Sequence, residues 1–258
     1  MSVLFTVEDH VACVTIDRPD RMNAMDTATQ TRLAEIWDEV EGNADIRCVV
    51  LTGSGDRAFS AGADLKDDSG MSGVEYWKDI SDTGFRRIAL RGTLTKPVIA
   101  RVNGLALGGG LEMAMGCDII IAADTARFGL PEAKVGRMPL DGGMVMLPRL
   151  IPRNIAVGMM MTGRMASADD MARYGLVNSV VPADQLDAET DRWVADILSA
   201  APLSLKSIKA VVRNTSEMSV HDAYAYESPE LIAALNSEDA DEGVTAFREK
   251  RAPVWRGK

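Results

Sequence analysis

The 258-residue sequence is poor in the residues that most metal and triad chemistry needs, with only His10 and His221 and three cysteines, Cys13, Cys48 and Cys117. So few leave little for a zinc site or a Ser-His-Asp triad. An odd number of cysteines in strand-like or helix-end apolar surroundings reads as reduced, buried thiols in a cytoplasmic protein. Basic residues are also short: 28 against 38 acidic, a net charge of −10. That balance lacks the footprint for a nucleic-acid backbone, although a few local cations can still hold a small anion. No apolar run reaches the roughly 18 residues of a membrane span. The opening MSVLFTVEDH has neither the charge nor the apolar core of a signal peptide.

What the sequence does have is one dense stretch, PVIARVNGLALGGGLEMAMGCD, residues 97–118. It reads as a buried strand, a tight turn at Asn103-Gly104, three glycines, and a helix carrying Glu112 between Leu111 and Met113. Glycines before a helix let backbone N–H groups approach a ligand, and the helix dipole favours negative charge there. The plainer reading is a glycine-rich loop followed by a partly exposed Glu.

Around it the pattern alternates strand and helix. Residues 2–8 and 11–17 suggest a hairpin, and a helix capped near Asp26 or Thr27 presents Leu33, Ile36, Trp37 and Val40 on one face. Strands are expected at 46–52 and 118–123, and a helix carrying Tyr76, Trp77, Ile80, Phe85, Ile88 and Leu90. The repetition implies mostly parallel strands with helical crossovers, an α/β fold. A helical run through Met144–Leu150 and Ile155–Met161 is apolar, with Met159-Met160-Met161 as core filler. Ser167 suits an N-cap, Leu176–Val181 a short strand, and the chain beyond 183 is helical with breaks at Pro202, Ser219 and Pro229. The expected division is a core over 1–195 and a helical region over 196–258.

Several stretches resemble the crotonase (enoyl-CoA hydratase/isomerase) superfamily: Arg18-Pro19…Asn23-Ala24, Phe59-Ser60-Ala61-Gly62-Ala63-Asp64-Leu65-Lys66, Gly108-Gly109-Gly110…Glu112, Pro131-Glu132 and Ser237-Glu238-Asp239. The resemblance spans nearly the whole chain. It implies a crotonase-like spiral of ββα turns with a C-terminal helical trimerisation region, giving a homotrimer or homohexamer. It also implies an acyl-CoA thioester as substrate, with no metal and no cofactor beyond the coenzyme A that the substrate carries. The amides of Ala63 and Gly109 would form an oxyanion hole, and Ala61, Ala63, Asp64, Leu65, Lys66 and Gly109 would line the acyl-CoA site. Glu112 would activate water and Glu132 would protonate Cα. Position alone leaves Glu132 open to reading as an ordinary helix-N-terminal acid.

Asp141 departs from the hydratase pattern and stands either as the cap of a helix beginning at Gly142 or as a contact to a polar or cationic acyl group. A narrower set of stretches, Leu130-Pro131-Glu132-Ala133-Lys134, Met161-Thr162-Gly163-Arg164 and Pro253-Val254-Trp255, resembles carnitinyl-CoA dehydratases. Lys66, Arg18 and Arg21 are candidates for the phosphates of coenzyme A. The same scaffold also leaves enoyl-CoA isomerisation, thioester hydrolysis and a non-enzymatic RNA-binding role as alternatives to hydration.

Overall fold

The computed structural model describes residues 2–67, 70, 72–78 and 94–258. A turn at Asp9 and His10, both left-handed (φ 45° and 70°), folds β1 (Val3–Glu8) antiparallel onto β2 (Val11–Ile16). Asp26 caps α1 (Thr27–Gly42), its carboxylate accepting from the Thr29 N–H at 2.8 Å. Leu33, Ile36, Trp37 and Val40 are all fully buried, as their spacing on one helical face requires.

From β2 onward the large sheet grows by parallel pairing. β3 (Cys48–Gly53), β5 (Val98–Val102), β7 (Ile119–Ala123) and β10 (Ser179–Val181) give the order β1-β2-β3-β5-β7-β10. A smaller sheet takes the short strands β4 (Ala58–Ser60), β6 (Leu105–Leu107), β8 (Arg127–Gly129) and β9 (Ala166–Ser167), with only β9 antiparallel. Successive passes thus give one strand to each sheet. After two of them the chain enters a helix, α3 (Gly109–Met115) after β6 and α4 (Gly143–Leu150) after β8. This is the expected spiral of ββα turns.

The strands of the large sheet are apolar on both faces because both are covered. Val49, Leu51, Val98 and Ala100 join the main core. Cys48, Ile99 and Ile121 face the opposite way and pack with Leu186 and Ile197 of α7 (Leu186–Leu198). The expected division at 195/196 falls inside this helix, and Leu205, beyond it, still packs against the same cluster.

Beyond it lie α8 (Pro202–Thr215), α9 (Val220–Tyr224), α10 (Pro229–Leu235) and α11 (Glu238–Glu249). The last residues fold back. Trp255 Nε1 donates to the Ser199 carbonyl at 2.7 Å, and the Trp255 carbonyl accepts from Arg47 at 3.1 Å. Asp239, 2% exposed, takes the N–H groups of Arg256 and Gly257 at 2.7 and 2.8 Å. These bonds explain the Ser-Glu-Asp stretch structurally: Ser237 caps α11 and Asp239 holds the tail.

Other expectations are corrected. The two segments of the apolar run, Met144–Leu150 and Ile155–Met161, fall in separate helices, α4 and α5 (Arg153–Thr162), divided where Pro152 precedes the second. Met159 is buried but Met161 is 77% exposed, because it lies on the outer face of α5. Cys13 is exposed, since period-two alternation points it away from the core beside Ala12 and Val14. The strand expected over 176–181 is restricted to Ser179–Val181. Helix α2 (Gly73–Lys78) carries Tyr76 and Trp77, while the expected positions Ile80, Phe85, Ile88 and Leu90 lie outside the described residues.

Candidate active site

The beginning of α3 is the point on which the candidate residues converge. Backbone meets backbone there without side chains between. A Cβ on Gly110 would lie 2.1 Å from the Ser60 carbonyl oxygen, and one on Gly62 (φ 85°) would lie 2.7 Å from the Gly109 nitrogen. Only glycine permits that approach. The loop after β4 and the start of α3 are thereby held against each other.

The orientation of Ala63 follows from its pairing. A parallel bridge to Met25 uses the Gly62 carbonyl (Met25 N–H, 2.8 Å) and the Asp64 N–H (to Met25 O, 2.9 Å). Such a bridge engages the neighbours of Ala63 and turns its own N–H to the opposite side of the loop. Gly109 is the first residue of α3, so its N–H has no acceptor within the helix. The structure therefore brings Ala63, Gly109 and Ala61 together in one small-residue wall.

Two carboxyls approach the same end of α3. Glu112, one turn in and 2% exposed, accepts at Oε1 from the N–H groups of Asp141 (2.9 Å) and Gly143 (2.8 Å). Glu132 opens a one-turn 3-10 helix after Pro131. Its Oε1 lies 3.1 Å from where a Gly108 Cβ would stand, and its Oε2 is buried with no hydrogen-bond partner among the described residues. An orphaned buried carboxyl oxygen is costly, and a catalytic role is one of the reasons such a group is kept. Burial, then the Asp141 carboxylate and, more weakly, Glu132, push the Glu112 carboxyl up to about 8 against the pull of its backbone donors. Burial first, and Asp141 further, also raise Glu132.

Asp141 is not a helix cap. Gly142 occupies the cap position of α4 with φ 119° and no side-chain cap bond. The Asp141 carboxylate, 4% exposed, instead accepts from the Tyr76 hydroxyl at 2.7 and 2.9 Å. Its backbone N–H serves Glu112. Asp141 thus ties α2 to the carboxyl pair, a link across 65 residues that no local pattern could have signalled.

The expected binding residues divide. Leu65, 70% exposed, and Lys66 stand on the rim. The Asp64 carboxylate is turned into the fold, onto Arg18 (3.1 Å) and the Lys66 N–H (3.1 Å). Arg18 is likewise engaged, with Asp26 (2.8 Å), Asp64 and the Ala24 carbonyl, so its expected place at a phosphate is corrected. Arg21 is exposed. Sequence reasoning assigned no side-chain role to Asn23 or Ser60. Buried Asn23 donates to the Ser54 and Ala58 carbonyls, and its own carbonyl accepts from Ser60 Oγ at 2.8 Å. Among the described residues no group of three or more His, Cys, Asp or Glu is arranged to hold a metal ion, and no helix is long and apolar enough to cross a membrane.

The enoyl-CoA hydratase/isomerase family model matches residues 6–258, and the chain belongs to that family. Within it, the carnitinyl-CoA dehydratase of Shigella flexneri is 40% identical over 249 residues, covering 95% of this chain and 94% of that protein. The carnitinyl-CoA dehydratase of Citrobacter koseri is 40% identical over 261 residues, 100% and 99% of the two chains. Among solved structures, the enoyl-CoA hydratase from Bacillus anthracis superposes with a TM-score of 0.92 at 33% identity, all of both chains covered. The enoyl-CoA hydratase from Mycobacterium tuberculosis H37Rv gives 0.91 at 33%, covering 100% of this chain and 99% of that one.

Proposed function

We propose that this protein is a hydro-lyase that reversibly adds water across the conjugated double bond of a trans-2-enoyl-CoA, giving a 3-hydroxyacyl-CoA. The observation that carries this reading is buried Glu112 and half-buried Glu132, whose Oε2 is buried without a partner among the described residues, beside two backbone N–H groups at the glycine-walled start of α3.

Hydration places hydroxide on Cβ and a proton on Cα, with enolate charge developing on the thioester oxygen. The Ala63 and Gly109 amides are placed to receive that oxygen, and one such donor is typically worth about 3–4 kcal/mol in the transition state. Glu112 takes the proton of the attacking water and Glu132 gives its own to Cα, so the proton count of the enzyme is unchanged over the step. The pair must then hold one proton in the resting state. Burial keeps that proton bound near neutrality. That proton has two seats, Glu112, raised to about 8 despite its two N–H donors, and Glu132, whose Oε2 has no partner among the described residues; hydration starts from the form that carries it on Glu132.

Loss of the enone-thioester absorbance of crotonyl-CoA, with solvent deuterium at Cα and a gain of about 18 mass units, the mass of one water, tests the reaction. The assay is run on dialysed, chelator-treated protein, because we propose no cofactor and no metal. Isomerisation would show no mass gain and hydrolysis would release free coenzyme A. Either result would replace the reading.

The similarity to carnitinyl-CoA dehydratases supports a second, narrower reading in which the acyl group is carnitinyl or crotonobetainyl. The acid-rich cleft formed by Glu112, Glu132 and Asp141 is compatible with it, and a comparison of kcat/KM for crotonobetainyl-CoA and crotonyl-CoA decides between the two. We further propose a cytoplasmic homotrimer or homohexamer. Val220 (88% exposed), Tyr224 (95%), Leu235 (70%) and Phe247 (85%) leave apolar surface on the C-terminal helices that a second copy would cover. Light scattering is expected to give three or six chain masses, and a monomer would sink the proposal.

A further inference from the structure

We infer that Arg18 is a positioning residue for the Ala63 amide, acting through Asp64, and not a ligand of the substrate's phosphates. The assignment rests on the reading of Ala63 as a donor to the thioester oxygen.

The loop after β4 has almost no side-chain mass of its own, since Ala61, Gly62 and Ala63 cannot pack into a core. Its placement has to come from outside. The segment from Arg18 to Thr27 supplies it with hydrogen bonds along its whole length. Met22 O accepts from Ala61 N–H at 3.0 Å, Met25 brackets Ala63, and Thr27 N–H reaches Asp67 at 2.7 Å. Ser60 Oγ donates to Asn23 O and accepts from Gly62 N–H at 3.1 Å. To present these groups the segment adopts left-handed backbone at Met22 (φ 54°) and Asn23 (φ 52°), a conformation that is costly for methionine.

Arg18 opens that segment and its side chain ties it to the loop. Its guanidinium joins Asp26, the cap of α1, to Asp64, the residue next to Ala63, and also donates to the Ala24 carbonyl. Side-chain exposures of 17% for Arg18 and 12% for Asp64 place the pair under the loop and not on its surface. A planar fork can serve three acceptors at fixed angles, whereas a lysine ammonium presents a single point of charge. Two of those acceptors are carboxylates, which compete with any phosphate. Lys66, exposed on the rim, and exposed Arg21 are the candidates left for the nucleotide end.

The test separates positioning from phosphate binding in the assembled, full-length protein. Arg18→Lys keeps the positive charge, so a phosphate contact would largely survive it. Positioning predicts that kcat and kcat/KM fall together by on the order of 10–100-fold, since a misplaced donor weakens only the transition state. The Kd for coenzyme A, by titration calorimetry, should stay within about twofold. Asp64→Asn should show the same split, and the double variant should lose no more than about twofold beyond the worse single change, because both act on one contact. Asp64→Asn carries the same readout if Arg18→Lys does not fold. Unchanged kcat with weakened coenzyme A binding, or additive losses, overturns the assignment. A wild type without hydratase activity overturns both this assignment and the reading beneath it.

Discussion

Replacing Glu132 with glutamine should lower kcat for crotonyl-CoA hydration by roughly 10²–10⁴-fold with little change in the affinity for coenzyme A. The amide has the same shape and still fits against Gly108, where Oε1 stands 3.1 Å from a Cβ position. What it lacks is a transferable proton on the atom that is buried without a partner among the described residues. Steady-state kinetics, with solvent-deuterium incorporation at Cα, measures the loss. Wild-type turnover in Glu132→Gln would remove the two-carboxyl mechanism, because no other described acid is left unsatisfied beside the Gly109 amide.

Glu112→Gln should cost a comparable factor in kcat, and it should also change how stability depends on pH. Glutamine can accept both backbone N–H bonds at its Oε1, so the clamp from Asp141 and Gly143 is kept. The wild-type carboxyl is held at about 8 in the folded chain against an ordinary value of 4.5. Between those values the folded state binds more protons than the unfolded one, so this group's contribution to stability is fully present below about 4.5. It is lost as pH rises through about 8. Glutamine does not titrate. The stability of Glu112→Gln relative to wild type should therefore grow from pH 5 to pH 9, measured by urea unfolding. A difference independent of pH would show that the buried carboxyl is not the group being charged.

Much of this arrangement was legible in the residues. The hairpin, the Asp26 cap and the Ser167 cap are set by contacts within a few positions, so local chemistry suffices to place them, and the parallel strands, though they pair far apart in the chain, announce themselves as local apolar runs. The glycines could be read because what matters about them is the lack of a side chain. Asp141 and Arg18 were not legible in the same way. A carboxylate before two glycines fits a cap as well as any other duty, and it was Tyr76, on a different element, that claimed it. Arginine in a loop looks solvated until the carboxylates at 26 and 64 come together around it. Met161 and Cys13 failed for a related reason: composition gives the average burial of a residue type, whereas the face of the element decides the particular case.

The returning tail has a bearing on how the chain acquires its shape during synthesis. Arg47, at the edge of the first large-sheet strands, makes its bond to the carbonyl of Trp255, 208 positions later. Lys209 closes on Asp118 at 2.6 Å, and Arg213 on the Leu94 carbonyl at 3.0 Å. A nascent chain emerging from the ribosome can form the hairpin and α1 early, but the clasp around the sheet waits until residue 255 has been made. Until then the outer surface of the strands lacks its fastening, the kind of incompletely covered surface through which large nascent chains misassemble.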